Sequence, residues 1–180
     1  MSLSRRLLLA GGVASLAARG VRASGGDFAP SAASLARPAA PMRSAAGLAI
    51  TDAQGANVAL ADYAGKLLVV NLWAPWCLPC RREMPSLARL SDRLSGQDAL
   101  VLPLAFSWQG AIGVRRFYQE TGIANLPVLI GDGDNLKATL GIEILPTTVV
   151  LDGDATHIAT VTGEARWDDA ATLDWLAGLI

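Results

Sequence analysis

The sequence predicts an α/β domain in which a mixed central sheet is covered by helices. Three observations carry that prediction. Residues 67–72 (LLVVNL) and 99–106 (ALVLPLAF) are apolar runs of strand length, the mark of strands buried on both faces. Segments with helical spacing alternate with such runs, the pattern of parallel strands joined by crossover helices. Finally, 147–151 and 157–161 are strand-like runs around Asp152-Gly153-Asp154, a turn that makes them an antiparallel hairpin. The 180 residues are 52% hydrophobic and 17% charged, enough apolar material for one real core and far from a disordered polar chain.

The front end reads as an address. Residues 1–9 (MSLSRRLLL) carry Arg5 and Arg6, and a soft apolar run of about a dozen residues follows. That run is shorter than the roughly 20 residues a membrane span needs. Val21-Arg22-Ala23 offers a small-x-small cleavage site, so 1–23 is expected to be an export signal. The paired arginines and weak apolar region resemble the twin-arginine form, with an ordinary secretory signal as the alternative. A cleaved signal is favoured over an uncleaved N-terminal anchor. No Cys follows the run, which excludes a lipoprotein-type lipid anchor. Residues 24–46, rich in Ala, Ser, Pro and Gly without periodicity, are expected to be a flexible linker that buries little. The folded domain is then 47–180.

Within it, 48–51 and 58–60 flank Asp52-Ala53-Gln54-Gly55 and predict an N-terminal β-hairpin extension. After the strand at 67–72, residues 78–94 carry Leu87, Leu90 and Leu94 at helical spacing, and Gly96 ends the helix. Pro85 falls inside it and is assigned a structural role. Past the strand at 99–106, a helix at 112–121 stops at Gly122. A short strand is expected at 128–130, a short helix at 135–140, and a closing amphipathic helix at 167–179. Trp73, Trp108 and Trp175 are expected in the core.

Charge argues about partners. Residues 1–23 hold four arginines and no acid, which leaves 11 basic against 16 acidic side chains, a balance of −5, for 24–180. A mildly acidic body without a basic stripe argues against nucleic acid. The single histidine, His157, excludes any site needing a pair, and a lone His is expected to be a surface or core residue.

The chemistry concentrates in Trp73-Ala74-Pro75-Trp76-Cys77-Leu78-Pro79-Cys80, directly after a buried strand and opening a helix. The first helical turn has unpaired N–H groups and a partial positive charge, which stabilise a thiolate at Cys77. Thiol pKa values in such places fall from about 8.5 toward roughly 3.5–7.5. Arg81 and Arg82 add positive charge, or simply face solvent. Pro79 is tolerated because first-turn N–H groups lack helical acceptors. The three-residue spacing puts Cys80 on the same face, within reach of Cys77. Two blander readings compete. A structural disulfide here would close a loop so short that it is worth roughly 2 kcal/mol, against nearly 5 for a long one. A structural zinc needs four ligands, and there are only 2 Cys. A redox role is the better fit. No nucleotide, flavin or metal site is visible, so no cofactor is expected and the chemistry is sulfur alone.

Residues 47–180 resemble the TlpA-like branch of the thioredoxin superfamily. The resemblance rests on Tyr63-Ala64-Gly65-Lys66, on VVNLWAPWCLPCRREMPSL, and on Gly141-Ile142-Glu143-Ile144-Leu145-Pro146-Thr147-Thr148, in that order. It implies a thioredoxin-like fold and a periplasmic thiol–disulfide oxidoreductase with Cys77 and Cys80 as the reacting pair. It also implies that the Leu145–Pro146 bond is cis, that Pro146 packs beside the cysteines, and that the backbone before it receives the substrate chain. The bland alternative for Pro146 is strand-edge punctuation. Glu83 matches an acid that lies beneath the site in related proteins and affects cysteine pKa values and proton transfer; the alternative is a solvated helix carboxylate. Thioredoxin itself carries a buried Asp where this chain has Asn71, so the acid is relocated. Trp76 is expected on the docking surface.

The implied partners are a disulfide-containing exported protein and a membrane thiol-electron carrier of the DsbD/CcdA type. Leu78-Pro79 is closer to reducing members than to the Pro-His of strong oxidants, so reduction is the expected direction. Family members that mature cytochrome c usually carry an acid after the cis-proline. Thr147 stands there instead, which favours a general or copper-site-assembly reductase. The alternatives are a Cu(I) carrier using both thiolates, with Met84 nearby, and a disulfide-forming oxidant.

Overall fold

The computed structural model describes residues 29–180. The expected export signal, 1–23, and the first residues of the expected linker lie outside them. Seven strands form one mixed sheet: β1 (Arg37–Pro38), β2 (Ile50–Thr51), β3 (Leu67–Trp73), β4 (Ala99–Ala105), β5 (Leu129–Gly131), β6 (Thr147–Leu151) and β7 (His157–Thr162). Their order is β1-β7-β6-β3-β4-β5-β2. The β3–β4 and β4–β5 pairs are parallel; β6 runs antiparallel to β3, and β7 to β6. The helices are α1 (Ala32–Leu35), α2 (Leu78–Leu94), α3 (Gly110–Thr121), α4 (Gly133–Leu140) and α5 (Ala170–Ala177).

All seven residues of β3 are buried because it sits mid-sheet with both faces covered. Leu67, Val69 and Trp73 face a core built with Met84, Leu87 and Leu90 of α2, Val114 and Phe117 of α3, and Leu176 of α5. Leu68, Val70 and Leu72 face a second core with Leu136 and Leu140 of α4 and with Leu60. Alternation along one strand thus splits the apolar residues between two layers of helix. The crossovers β3–α2–β4 and β4–α3–β5 leave the N-termini of α2 and α3 beyond the carboxyl ends of their strands, where open α/β sheets place their sites.

The elements follow from local chemistry. The α2 range is the one predicted, with Pro79 in the first turn and Pro85 inside, where the Arg81 carbonyl loses its helical donor. Helix α4 starts two residues before the predicted position because the Asp132 side chain accepts from Asn135 N at 2.7 Å, capping a turn-like Asp-Gly-Asp. Helix α5 starts later than predicted: Trp167 is buried outside it, and Asp169 is its cap, accepting from Thr172 N at 3.0 Å.

Three expectations are corrected. The stretch 29–46 is docked, not a free linker. Pro38 and Arg37 pair with Ala159 and Thr160 of β7, Ala39 N donates to Ile158 O at 2.9 Å, and Ala32 and Ala45 are fully buried. Without this segment β7 would be a sheet edge with unpaired backbone groups, and a Pro-containing strand suits an edge. Second, the N-terminal hairpin is reduced. Val58 N donates to Ile50 O at 2.9 Å and Thr51 bridges Asn57, but β2 pairs principally with β5, and Leu60–Tyr63 forms a 3-10 turn. Third, Trp108 is exposed, whereas Trp73 and Trp167 are buried and Trp175 half-buried.

Candidate active site

Strand β3 delivers the chain to the site. After Trp73, Ala74-Pro75-Trp76 turns so that Cys77 N donates to Ala74 O at 3.0 Å and Cys77 becomes the N-cap of α2. Its Sγ accepts from Cys80 N at 3.3 Å, so a sulfur occupies the place where a capping oxygen usually sits. Cys77 and Cys80 are joined by a disulfide across a Cα–Cα distance of 5.3 Å. Cys77 is 7% exposed and Cys80 0%. An incoming group therefore meets Cys77 first, while Cys80 backs it from inside the core. Once the bond opens, the unpaired amides of the first turn favour a thiolate on Cys77.

The two cations beside the pair are tethered. Arg81 donates to Pro75 O at 3.1 Å, lies over the Phe117 ring at 4.6 Å and approaches Glu120 at 3.7 Å. Arg82 is paired with Glu164. Their charge near Cys77 is thus partly offset by acids from other elements.

Glu83 is not a solvated carboxylate. One turn beyond Cys80, it is fully buried. Asn71 Nδ2 donates to its Oε1 at 2.8 Å; Ala165 N and Trp167 Nε1 donate to Oε2 at 3.0 and 3.4 Å. Burial outweighs these three donors and pushes the Glu83 carboxyl up to about 7, and neighbouring Glu164 pushes the same way. Asn71 also donates to Thr148 Oγ1 at 2.9 Å, so both of its N–H groups are committed and its Oδ1 has no partner among the described residues. Ala165 and Trp167, from the connection between β7 and α5, had no signal in the sequence, since they lie 82 and 84 residues from Glu83. The docked N-terminal segment braces that same connection. Ala32 N donates to Arg166 O at 2.9 Å, Arg166 N to Pro30 O at 2.8 Å, and Ser31 Oγ to Asp169 at 2.9 Å.

The Leu145–Pro146 bond is cis and Pro146 is buried. Thr147 pairs with Leu72, which sets Pro146 beside the end of β3 that leads into the cysteines. Among the described residues, the Leu145 N–H and C=O have no backbone partner. Thr147 Oγ1 turns back to donate to Ile144 O at 2.8 Å. Trp76 is 55% exposed and stacks nearly parallel (4°) on Trp108, with ring centroids 6.1 Å apart. His157 belongs to the other end of the sheet, where its neighbour Leu151 pairs with Leu68. It is buried, its Nε2 lies 2.8 Å from Thr160 Oγ1, and burial holds its pKa below the ordinary value. Among the described residues, no three His, Cys, Asp or Glu side chains gather into a metal-holding group.

A Cys-x-x-Cys disulfide at a strand-to-helix corner, beside a cis-proline on a mixed sheet, defines a TlpA-like member of the thioredoxin superfamily. Comparison with known proteins agrees. The model of the AhpC/TSA family matches residues 40–158, and the chain belongs to that family. It is 30% identical over 115 residues to the thiol-disulfide oxidoreductase ResA of Bacillus thuringiensis strain Al Hakam, covering 64% of this chain and 65% of that one. It is 31% identical over 112 residues to the thioredoxin-like protein YneN of Bacillus subtilis strain 168, covering 60% and 65%. The chain therefore spans just under two thirds of the length of these relatives. The crystal structure of a DsbF homologue from Corynebacterium diphtheriae superposes with a TM-score of 0.60 at 22% identity, covering 79% of this chain and 90% of that one.

Proposed function

We propose that this chain is a periplasmic thiol–disulfide oxidoreductase that reduces disulfides of exported proteins. The observation that carries the reading is the asymmetry of the pair: a just-accessible Cys77 at a helix N-terminus, joined to a wholly buried Cys80. The name of the ResA relative supports the same reaction class.

In the reduced enzyme the Cys77 thiolate attacks one sulfur of a client disulfide. The client's other sulfur leaves as a thiolate and takes a proton from solvent. Cys80, losing its proton, attacks Cys77 Sγ; the Cys77–Cys80 bond forms and the client leaves as a dithiol. Two electrons pass to the client, whose two leaving thiolates each take up a proton from solvent, while the one proton of Cys80 stays with the enzyme. Glu83, one turn from Cys80 and titrating near neutrality, is the group suited to hold the proton that Cys80 gives up. The unpaired Leu145 backbone beside Pro146 and the exposed Trp76 receive the client chain. The oxidised pair is reset by a dithiol carrier in the membrane, of the DsbD/CcdA type. Export rests on the charged, then apolar, start of the sequence; among the described residues no helix is long and apolar enough to cross a membrane.

The test is reduction of insulin disulfides by dithiothreitol, with and without the protein. Acceleration that disappears in Cys77→Ser supports the reading; no acceleration by the wild type refutes a general reductase.

A further inference from the structure

Beside the disulfide, on the side away from Pro146, lies a groove of about 200 Å³ between the start of α2 and the start of α3. The stacked Trp76 and Trp108 line one part of it; Trp108, at 79% exposure, is among the most exposed large apolar side chains described. An indole left this exposed gains little burial from folding beyond its stack on Trp76, and rigid aromatic anchors are what interfaces use. The charges lining the groove are Arg81, Arg116 and Glu120. Arg81 is spent within the fold, on Pro75 O, the Phe117 ring and Glu120. Arg116 is exposed and makes no ion pair or side-chain hydrogen bond among the described residues. Glu120 is offset by Arg81, so the groove presents one uncompensated guanidinium beside an aromatic platform. It does so on a body whose balance is −5.

We propose that this groove selects the client: it takes a polypeptide segment that carries a carboxylate next to its disulfide, with Trp108 and Trp76 as the platform and Arg116 as the charge reader. The inference rests on the proposed thiol–disulfide exchange and adds to it the substrate class. A carboxylate on the segment accepts from the Arg116 guanidinium while the adjoining side chain lies on the indoles, which holds the client sulfur over Cys77. Elsewhere the acidic body repels the same segment, so productive encounters concentrate at the site.

The test compares two disulfide-linked peptides that differ only in having Glu or Lys two residues from the reactive Cys, measured for kcat/KM at low and high salt. Hydroxyethyl disulfide, neutral and too small to reach the groove, is the control. Wild type is expected to favour the Glu peptide by about five- to tenfold at low salt, shrinking at high salt. Arg116→Glu reverses the preference, and Trp108→Ala lowers kcat/KM for both peptides about fivefold. Rates on hydroxyethyl disulfide stay unchanged in both variants. Equal rates on the two peptides, or an unaltered preference in Arg116→Glu, overturn the proposal while the control reaction persists. Loss of the control reaction in the wild type would instead overturn the exchange chemistry beneath it.

Discussion

Replacing Glu83 by Gln should remove a pH dependence of stability whose sign and size follow from burial. In the unfolded chain this carboxyl has its ordinary value, 4.5; in the fold it is pushed up to about 7. Across that window the folded protein holds a proton that the unfolded chain has released. Unfolding free energy therefore falls as pH rises from about 4.5 to about 7, and Glu83 contributes no further change outside it. Each pH unit between those two values is worth ~1.4 kcal/mol, so the full loss is about 3 kcal/mol. His157 acts in the opposite sense, because burial holds it neutral and stability is lost as pH falls through its ordinary range. The informative quantity is therefore the difference between wild type and Glu83→Gln, in which the His157 contribution cancels. Urea unfolding of the oxidised protein, followed by tryptophan fluorescence from about pH 4.5 to about pH 8, measures it. The stability of Glu83→Gln relative to wild type should rise by about 3 kcal/mol from the acid end to the alkaline end. Parallel curves would show that Glu83 titrates in the fold as it does in the unfolded chain, and its place as the proton holder for Cys80 would fall.

Three further outcomes are expected. Asn71→Asp sets a second carboxyl against Glu83 in place of the amide that donates at 2.8 Å, so the pair ionises only once. It should lose about 2 kcal/mol more stability at pH 8 than at pH 5, by the same unfolding assay. Asp169→Ala removes both the cap of α5 and the acceptor of Ser31; thermal unfolding should register a loss of about 1–2 kcal/mol, with faster hydrogen exchange at Ala32. For the cysteines, Cys80→Ser should accumulate a mixed disulfide with a client through Cys77. Cys77→Ser should accumulate at least about tenfold less, read by mass spectrometry, because Cys80 is enclosed.

The sheet, its central helix and the reacting pair were legible because each leaves a local mark. A strand buried on both faces must be apolar throughout, as 67–72 is, and a helix with Leu87, Leu90 and Leu94 on one face must bury that face. The docking of 29–46 left no such mark. Alanine buries too little area to create a periodic pattern, and an edge strand of Arg37 and Pro38 is held by backbone groups that sequence does not encode. The same limit hid Ala165 and Trp167, whose contribution to Glu83 is an amide and an indole N–H brought in from 82 and 84 residues away. Trp108 misled in the other direction. Large aromatic residues are usually buried, and nothing in 106–110 shows that the β4–α3 turn points its indole at Trp76 and away from the core. Glu83 was visible only through resemblance, since a carboxylate on a helix is ordinarily solvated and only the tertiary fold shows what covers it.

Thiol–disulfide exchange requires that the Cys77–Cys80 bond open and close in the folded protein. Equilibration against glutathione or dithiothreitol mixtures of set ratio, followed by thiol labelling and mass measurement under native conditions, tests it most directly. One reversible two-electron transition is expected, with both thiols labelled together and a midpoint on the reducing side, near −220 mV or below. A midpoint near −120 mV would reverse the direction of transfer, and a bond that stays closed in excess dithiothreitol until the protein unfolds would contradict the account outright.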